Sequence, residues 1–184
     1  MPLTYLSPEE ARRVVIDPMQ EMGITLQEDG DLADQIVTRA AGHPNMVQYM
    51  CQKLIERINQ RRERIIRRAD VDAIGQSAEF AEYFAEVSWG NSTALERLIT
   101  LLMIERPEVT LGEMADVLRA GGLQVPPDKL EEAFEGLTLY SILRRDGPKY
   151  TFATQAVPDV LRRGQDVYGL VISYTQEIKG AYGA

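Results

Sequence analysis

Apolar residues recur at three-and-four spacing along most of the chain, which predicts helices almost from end to end. Ser7-Pro8-Glu9-Glu10 offers an N-cap, a proline at the first helical position and the returning member of a capping box. Val14 and Val15 give that first helix its apolar face, and Pro18 is expected to end it near Asp17. Asp29 or Asp31 precedes a second helix with Leu32, Ile36, Val37 and Ala40 at core spacing, and Gly42 falls where a left-handed residue closes a helix. A third helix starts near Pro44, with Val47, Met50, Cys51, Leu54, Ile55 and Ile58 on a buried stripe. An exposed basic connector, NQRRERIIRRAD, follows with Ile65 and Ile66 as its apolar pair. Asp70 is expected to cap a fourth helix, in which Val71, Ile74, Ala78, Ala81 and Phe84 repeat. The first half therefore reads as four helices, with no strand to carry a parallel sheet.

The stretch SWGNST, Ser88 to Thr93, marks a boundary: Gly90 and Asn91 suit a turn, and Ser92 or Thr93 suits a cap. Leu95, Leu98, Ile99, Leu102 and Met103 then form a helix that stops at Pro107. Thr110 caps a short helix with Leu111, Met114, Ala115 and Leu118 inward and Gly121-Gly122 after it. Pro126-Pro127-Asp128 opens a third, through Leu130, Phe134 and Leu137. In SILRRDGPKYTFAT, two short apolar runs flank Asp146-Gly147, a hairpin signal. Three helices followed by a two-stranded ribbon is the winged helix-turn-helix pattern. The fold class is thus mainly α: a helical bundle over residues 1–90, a winged helix over 91–164, and an amphipathic C-terminal helix over 165–184. Val167, Leu170, Val171, Tyr174 and Ile178 make the last helix amphipathic, either for packing back on the preceding domains or for a partner or dimer contact.

Composition narrows the functions open to such a chain. Hydrophobic residues make up 45% and charged residues 26% of 184, enough for a buried core. A formal net charge of -8 opposes non-specific attraction to a polyphosphate. One cysteine forms no internal disulfide, and neither a signal peptide nor a membrane-spanning run is legible, so a reducing cytoplasm is the expected setting.

Chemistry of its own is scarce. The chain has no G-x-x-x-x-G-K-[ST] to cradle ATP phosphates and no G-x-G-x-x-G after a strand. With one histidine and one cysteine, His43 and Cys51, a structural zinc site of the usual composition has no ligands. Cys51 lies on the apolar stripe, where a thiol packs and stays inert. Glu9-Glu10 and Glu131-Glu132 are neighbours that point apart on a helix, which suits capping and a solvated face and not an acid/base dyad. The chain is therefore expected not to be an enzyme on its own.

Charge also weighs against the wing motif's best-known use. The helix that would enter a major groove, PPDKLEEAFEGL, sets Asp128, Glu131, Glu132 and Glu135 against Lys129 alone. The hairpin is more favourable, with Arg144, Arg145 and Lys149 as possible polar or nucleic-acid contacts. Arg61, Arg62, Arg64, Arg67 and Arg68 of the connector fit a nucleic-acid patch, an acidic partner or bound phosphate, or a solvated turn.

The run from LSPEEARRVV through GITLQEDGDLADQIVTRAAGHPNMVQYMCQKLIERIN to IIRRADVDAI resembles the helical lid of AAA-related P-loop ATPases, nearest the archaeal-type and STAND signal-transduction groups. The segment from TALERLITLLM to LYSILRRDGPKYTFATQAVPDVLRR is similar to the winged helix that follows that lid. The resemblance implies that Gly42-His43-Pro44 is the G-x-P element facing nucleotide: Pro44 against the base, Gly42 allowing close approach, His43 reaching the base or the phosphate edge. It further implies that ATP or ADP is held by a Walker-bearing core, that no cofactor belongs to this chain alone, and that the partner is that core or another protein. Lid sequence directly after Met1 suggests a C-terminal fragment of a longer protein or a stand-alone relic. The expected role is a regulatory module whose lid closes over nucleotide and whose winged helix relays that state. A DNA-binding regulator and an adaptor without a nucleotide role are the competing readings.

Overall fold

A computed structural model describes residues 8–27, 32–164 and 166–183. The expected caps Ser7, Asp29 and Asp31 lie outside the described residues. The architecture is mainly helical, with a few short strands. The chain divides into two compact units, Met1–Ala81 and Glu82–Ala184.

Unit 1 contains α1 (Pro8–Glu21), β1 (Thr25–Leu26), α2 (Leu32–Arg39), α3 (Pro44–Gln60), β2 (Ile65–Ile66) and α4 (Arg68–Gly75). The next helix, α5 (Ala78–Trp89), spans the boundary. Val15, Ile36, Met46, Val47, Met50, Leu54 and Ile58 are all fully buried, so α1, α2 and α3 share one core. Each such side chain contributes roughly 1.5–3 kcal/mol on burial.

Pro18 does not end α1; the helix continues to Glu21 around it. Val15 and Met19, 0% and 1% exposed, are buried on either side, and their packing outweighs the lost backbone hydrogen bond. The stop comes at Gly23, whose φ of +66° suits glycine, with Ile24 N–H donating to Met19 O at 2.8 Å.

The expected four-helix first half is corrected in two places. A two-residue parallel pair exists, Thr25 opposite Ile65 and Leu26 opposite Ile66, so part of the basic connector is a strand. Thr25 N–H donates to Arg64 O at 2.8 Å and Gln27 N–H to Ile66 O at 2.9 Å. The expected fourth helix is two helices. Ser77 separates them: its hydroxyl donates to Ile74 O at 2.8 Å and accepts from Phe80 N–H at 3.1 Å, capping α5. Asp70 is not the cap residue of α4 but its third helical position, where it accepts from Arg67 N–H at 3.0 Å.

Unit 2 follows with α6 (Ala94–Met103), β3 (Glu108–Thr110), α7 (Leu111–Ala120), α8 (Pro127–Leu139), β4 (Leu143–Asp146), β5 (Lys149–Phe152), α9 (Ala156–Gly164) and α10 (Val167–Tyr182). Thr93 and Thr110 cap α6 and α7, each accepting from and donating to the glutamate three residues on. The hairpin turns at Gly147, φ +58°, with Asp146 opposite Lys149. A third strand, β3, joins it to give the order β3-β5-β4, all antiparallel, with Val109 opposite Tyr150. α10 packs along α6 and buries Ile178, and Gln124 N–H donates to Tyr182 O at 2.6 Å. Among the described residues no helix is long and apolar enough to cross a membrane.

Candidate nucleotide-facing corner

The corner between α2 and α3 is built from a helix end and a helix start in immediate succession. Ala41 and Gly42 are both left-handed, φ +50° and +69°. Three amides close the last turn of α2: Ala41 to Thr38 O at 3.0 Å, Gly42 to Val37 O at 2.9 Å, and His43 to Ala40 O at 2.9 Å. Nothing lies within 4 Å of where a Cβ on Gly42 would stand, so the backbone there is open to close approach.

His43 occupies the N-cap position of α3 at φ -74°, ψ 120°, with Pro44 as the first helical residue. Its side chain makes no capping bond, so the following amides are left with the partial positive charge of a helix N-terminus. The His43 imidazole is half-buried, and its Nδ1 is out of solvent with no hydrogen-bond partner among the described residues. Burial pushes its pKa below the ordinary value of 6.5. A neutral imidazole carries one donor and one acceptor nitrogen, and a Nδ1 that is out of solvent meets a polar ligand edge only when the ring turns. Gly42, His43 and Pro44 are thus brought together as an open backbone, a polar ring and a helix start.

Cys51 is half-buried and not a core residue: it lines an open apolar cavity of about 350 Å³ between α1 and α3, with Val14, Pro18, Met19 and Met22. Burial pushes its thiol up to about 11, which keeps it protonated at neutral pH.

Arg144, Arg145 and Lys149 lie together on the hairpin, all exposed. Arg144 Nε donates to Thr151 Oγ1 at 3.1 Å, and Arg145 lies over the Tyr150 ring at 5.7 Å. Lys149 is already engaged by Glu108 at 2.5 Å. On α8, Lys129 is likewise occupied by Glu132 at 2.6 Å, while Asp128, Glu131 and Glu135 are exposed.

Sequence reasoning missed one polar centre. Asp70 is 2% exposed and takes Arg57 at 2.9 Å and Arg61 at 2.7 Å, while Arg67 pairs with Glu63. Much of the basic connector is therefore internally compensated. The available signal was the first acid after the run of arginines; an aspartate there serves their charge as much as a helix start.

No protein-family model and no curated protein sequence matches this chain. Among solved structures the chain is similar to RuvB of Thermotoga maritima, a Holliday junction branch migration motor, at 18% identity over 89% of this chain with a TM-score of 0.40. A mutant of the same protein gives 18% identity and a TM-score of 0.39. The chain spans about half, 51%, of the length of those structures.

Proposed function

We propose that the chain is a regulatory module of a nucleotide-switched P-loop ATPase, with unit 1 serving as a lid over ATP or ADP held by a core outside these 184 residues. The observation that carries this reading is the corner itself. An open glycine backbone, a buried imidazole nitrogen without a partner among the described residues, and an uncapped helix start converge on three consecutive residues, Gly42, His43 and Pro44. Each alone has a local explanation, since Gly42 ends a helix and Pro44 begins one. The uncapped start is different, because a serine or aspartate at position 43 would satisfy the first-turn amides and histidine does not. Those amides suit the polar edge of a ligand. Catalysis is assigned to the core, and this chain contributes binding contacts and a moving cover. The order of elements in unit 2 suits a relay to a partner protein. A DNA-reading role draws less support, because the exposed side chains of α8 are mostly acidic.

Titrating 15N-labelled chain with MgATP into the millimolar range tests the reading. Shifts confined to the amides of residues 42–47 and to the His43 ring support it. Shifts elsewhere with none at this corner, or no shifts at all, sink it.

A further inference from the structure

One short segment runs against the chain's negative sign. From Arg57 to Arg68 there are six arginines and a single carboxylate, Glu63. The structure sorts five of those cations into two sets. Arg57 and Arg61 face Asp70, and Arg67 faces Glu63. Arg62 and Arg64 are exposed, and neither meets a carboxylate among the described residues. Arg62 sits at φ +56° on the turn leaving α3, its amide donating to Asn59 O at 3.0 Å. Beside them, on β2, Ile65 is 43% exposed. The turn thus presents two unpaired guanidinium groups and one bare aliphatic side chain.

Unit 2 carries a surface of the same make and opposite sign. Asp128, Glu131 and Glu135 follow one another at three and four residues along α8, so they lie on one stripe. All are exposed, and among the described residues no cation meets Glu131 or Glu135. Four residues beyond Glu135, on the same stripe, Leu139 is 45% exposed. Unpaired like charges on a solvated surface repel one another, and an opposite patch relieves that repulsion.

We infer that α8 of one copy of this chain docks on the turn between α3 and β2 of a second copy, with Glu131 and Glu135 against Arg62 and Arg64 and Leu139 against Ile65. The two surfaces are different, so the contact is head-to-tail and each pair keeps one free face of each kind. Arginine suits this role, because its planar fork takes a carboxylate in two parallel bonds. The patch is small and wet, which places the contact in the weak class, with a Kd on the order of 100 μM.

Sedimentation equilibrium of the full chain in 100 mM salt, up to roughly millimolar protein, tests the inference in the range set by that weak class. The weight-average mass should rise with concentration, and raising the salt fivefold should weaken association at least threefold. Arg62→Glu/Arg64→Glu and Glu131→Lys/Glu135→Lys should each be monomeric alone, and an equimolar mixture of the two should associate again. The milder Arg62→Gln/Arg64→Gln should weaken association about tenfold, which guards against misfolding of a charge-reversed variant. A wild-type monomer at the highest concentration overturns the inference. So does loss of association in only one reversed variant, or a mixture that stays monomeric. Binding of a labelled random DNA duplex by Arg62 and Arg64, without self-association, would assign the turn to polyphosphate instead and likewise overturn it.

Discussion

The carboxylate of Asp70 accepts both terminal nitrogens of Arg61, Nη1 at 2.7 Å and Nη2 at 2.9 Å, while itself 2% exposed. Arg57 Nε adds a third bond at 2.9 Å and the Arg67 amide a fourth at 3.0 Å. The pairing ties the C-terminal end of α3 to the first turn of α4. Arg61 beside it holds the Asp70 carboxyl well below the usual carboxylate range, against the opposing effect of burial, with Arg67 N–H and Arg57 helping. Asp70→Asn keeps the shape and removes the charge. Because the arginines are partly solvated, a loss of about 1–3 kcal/mol is expected, toward or below the lower end of the range for a broken buried pair. Urea denaturation at neutral pH measures it. The folded carboxyl is more acidic than the unfolded one, so this contribution is complete above about pH 4 and disappears as the pH falls further. Asp70→Asn should lack that part of the acid transition; identical acid profiles for both proteins would refute the assignment.

His43 gives a second pH-dependent quantity in a different window. Burial disfavours its charged form, so the folded state takes up the proton less readily than the unfolded chain. Stability is therefore complete above about pH 6.5 and declines as the pH falls below it. As the only histidine, it gives one imidazole Cε1 proton signal. That signal should titrate with a midpoint below 6.5, and His43→Gln should flatten the stability profile between about pH 6.5 and 5. A midpoint at or above 6.5 contradicts the half-buried placement of the ring.

At Gly136 two helices approach closely. A Cβ added there would collide with Oε1 of Glu96, which is 7% exposed and holds the Thr93 amide at 2.5 Å. The carboxylate can yield only by leaving the cap of α6. Gly136→Ala is thus expected to destabilise unit 2 by about 1 kcal/mol, the worth of a cap, despite the better helix propensity of alanine. In a Glu96→Ala background the same substitution should become neutral or favourable. Thermal denaturation of the four proteins forms the double-mutant cycle, and additivity would show that the cap is not what Gly136 protects.

Much of this architecture was legible because it rests on local chemistry. Thr93 and Thr110 each stand three residues before a glutamate, and both capping boxes form. Gly42 and Gly147 stand where a left-handed residue was required. The misreadings share a different cause. β1 and β3 are two and three residues long, too short for any period-2 signal, and exist because Ile65 and Tyr150 supply partners from far along the chain. Pro18 reads as a stop because the core that holds Met19 in place is not visible locally. The tripeptide of the candidate corner was readable as residues. The unpartnered state of His43 Nδ1 was not, since it depends on how the ring is packed.

Cys51 lines an apolar cavity with its thiol raised to about 11. At pH 8 the thiolate fraction is then roughly a hundredfold below that of an ordinary cysteine. Reaction with Ellman's reagent should be slower by about that factor in the folded protein and become fast in urea. The rate should also climb with pH beyond 10, as the thiol begins to ionise. Rapid labelling of the native chain at pH 8 would show that the cavity opens or that a cation lowers the thiol pKa.

Arg97 couples α10 to the single tryptophan. Arg97, on α6, stacks over Trp89 at 5.4 Å and over Tyr174 of α10 at 5.9 Å. Its Nη2 donates to Gly90 O at 2.7 Å and its Nη1 to the Tyr174 hydroxyl at 3.2 Å. A guanidinium between two rings contributes from about 0.5 to 2 kcal/mol, depending on its desolvation. Tyr174→Ala also removes buried area from the α6–α10 contact, so a loss of about 2 kcal/mol is expected, or roughly 4–8 °C in Tm. A chain ending at Gly164 should lose more, because it uncovers the whole α6 face that α10 packs against. In both variants Trp89 emission should shift to the red and acrylamide quenching should rise, since Tyr174 lies edge-on to the indole at 6.3 Å. Unchanged fluorescence and melting in the shortened chain would mean that α10 stands away from unit 2 in solution, and its apolar stripe would then need another partner.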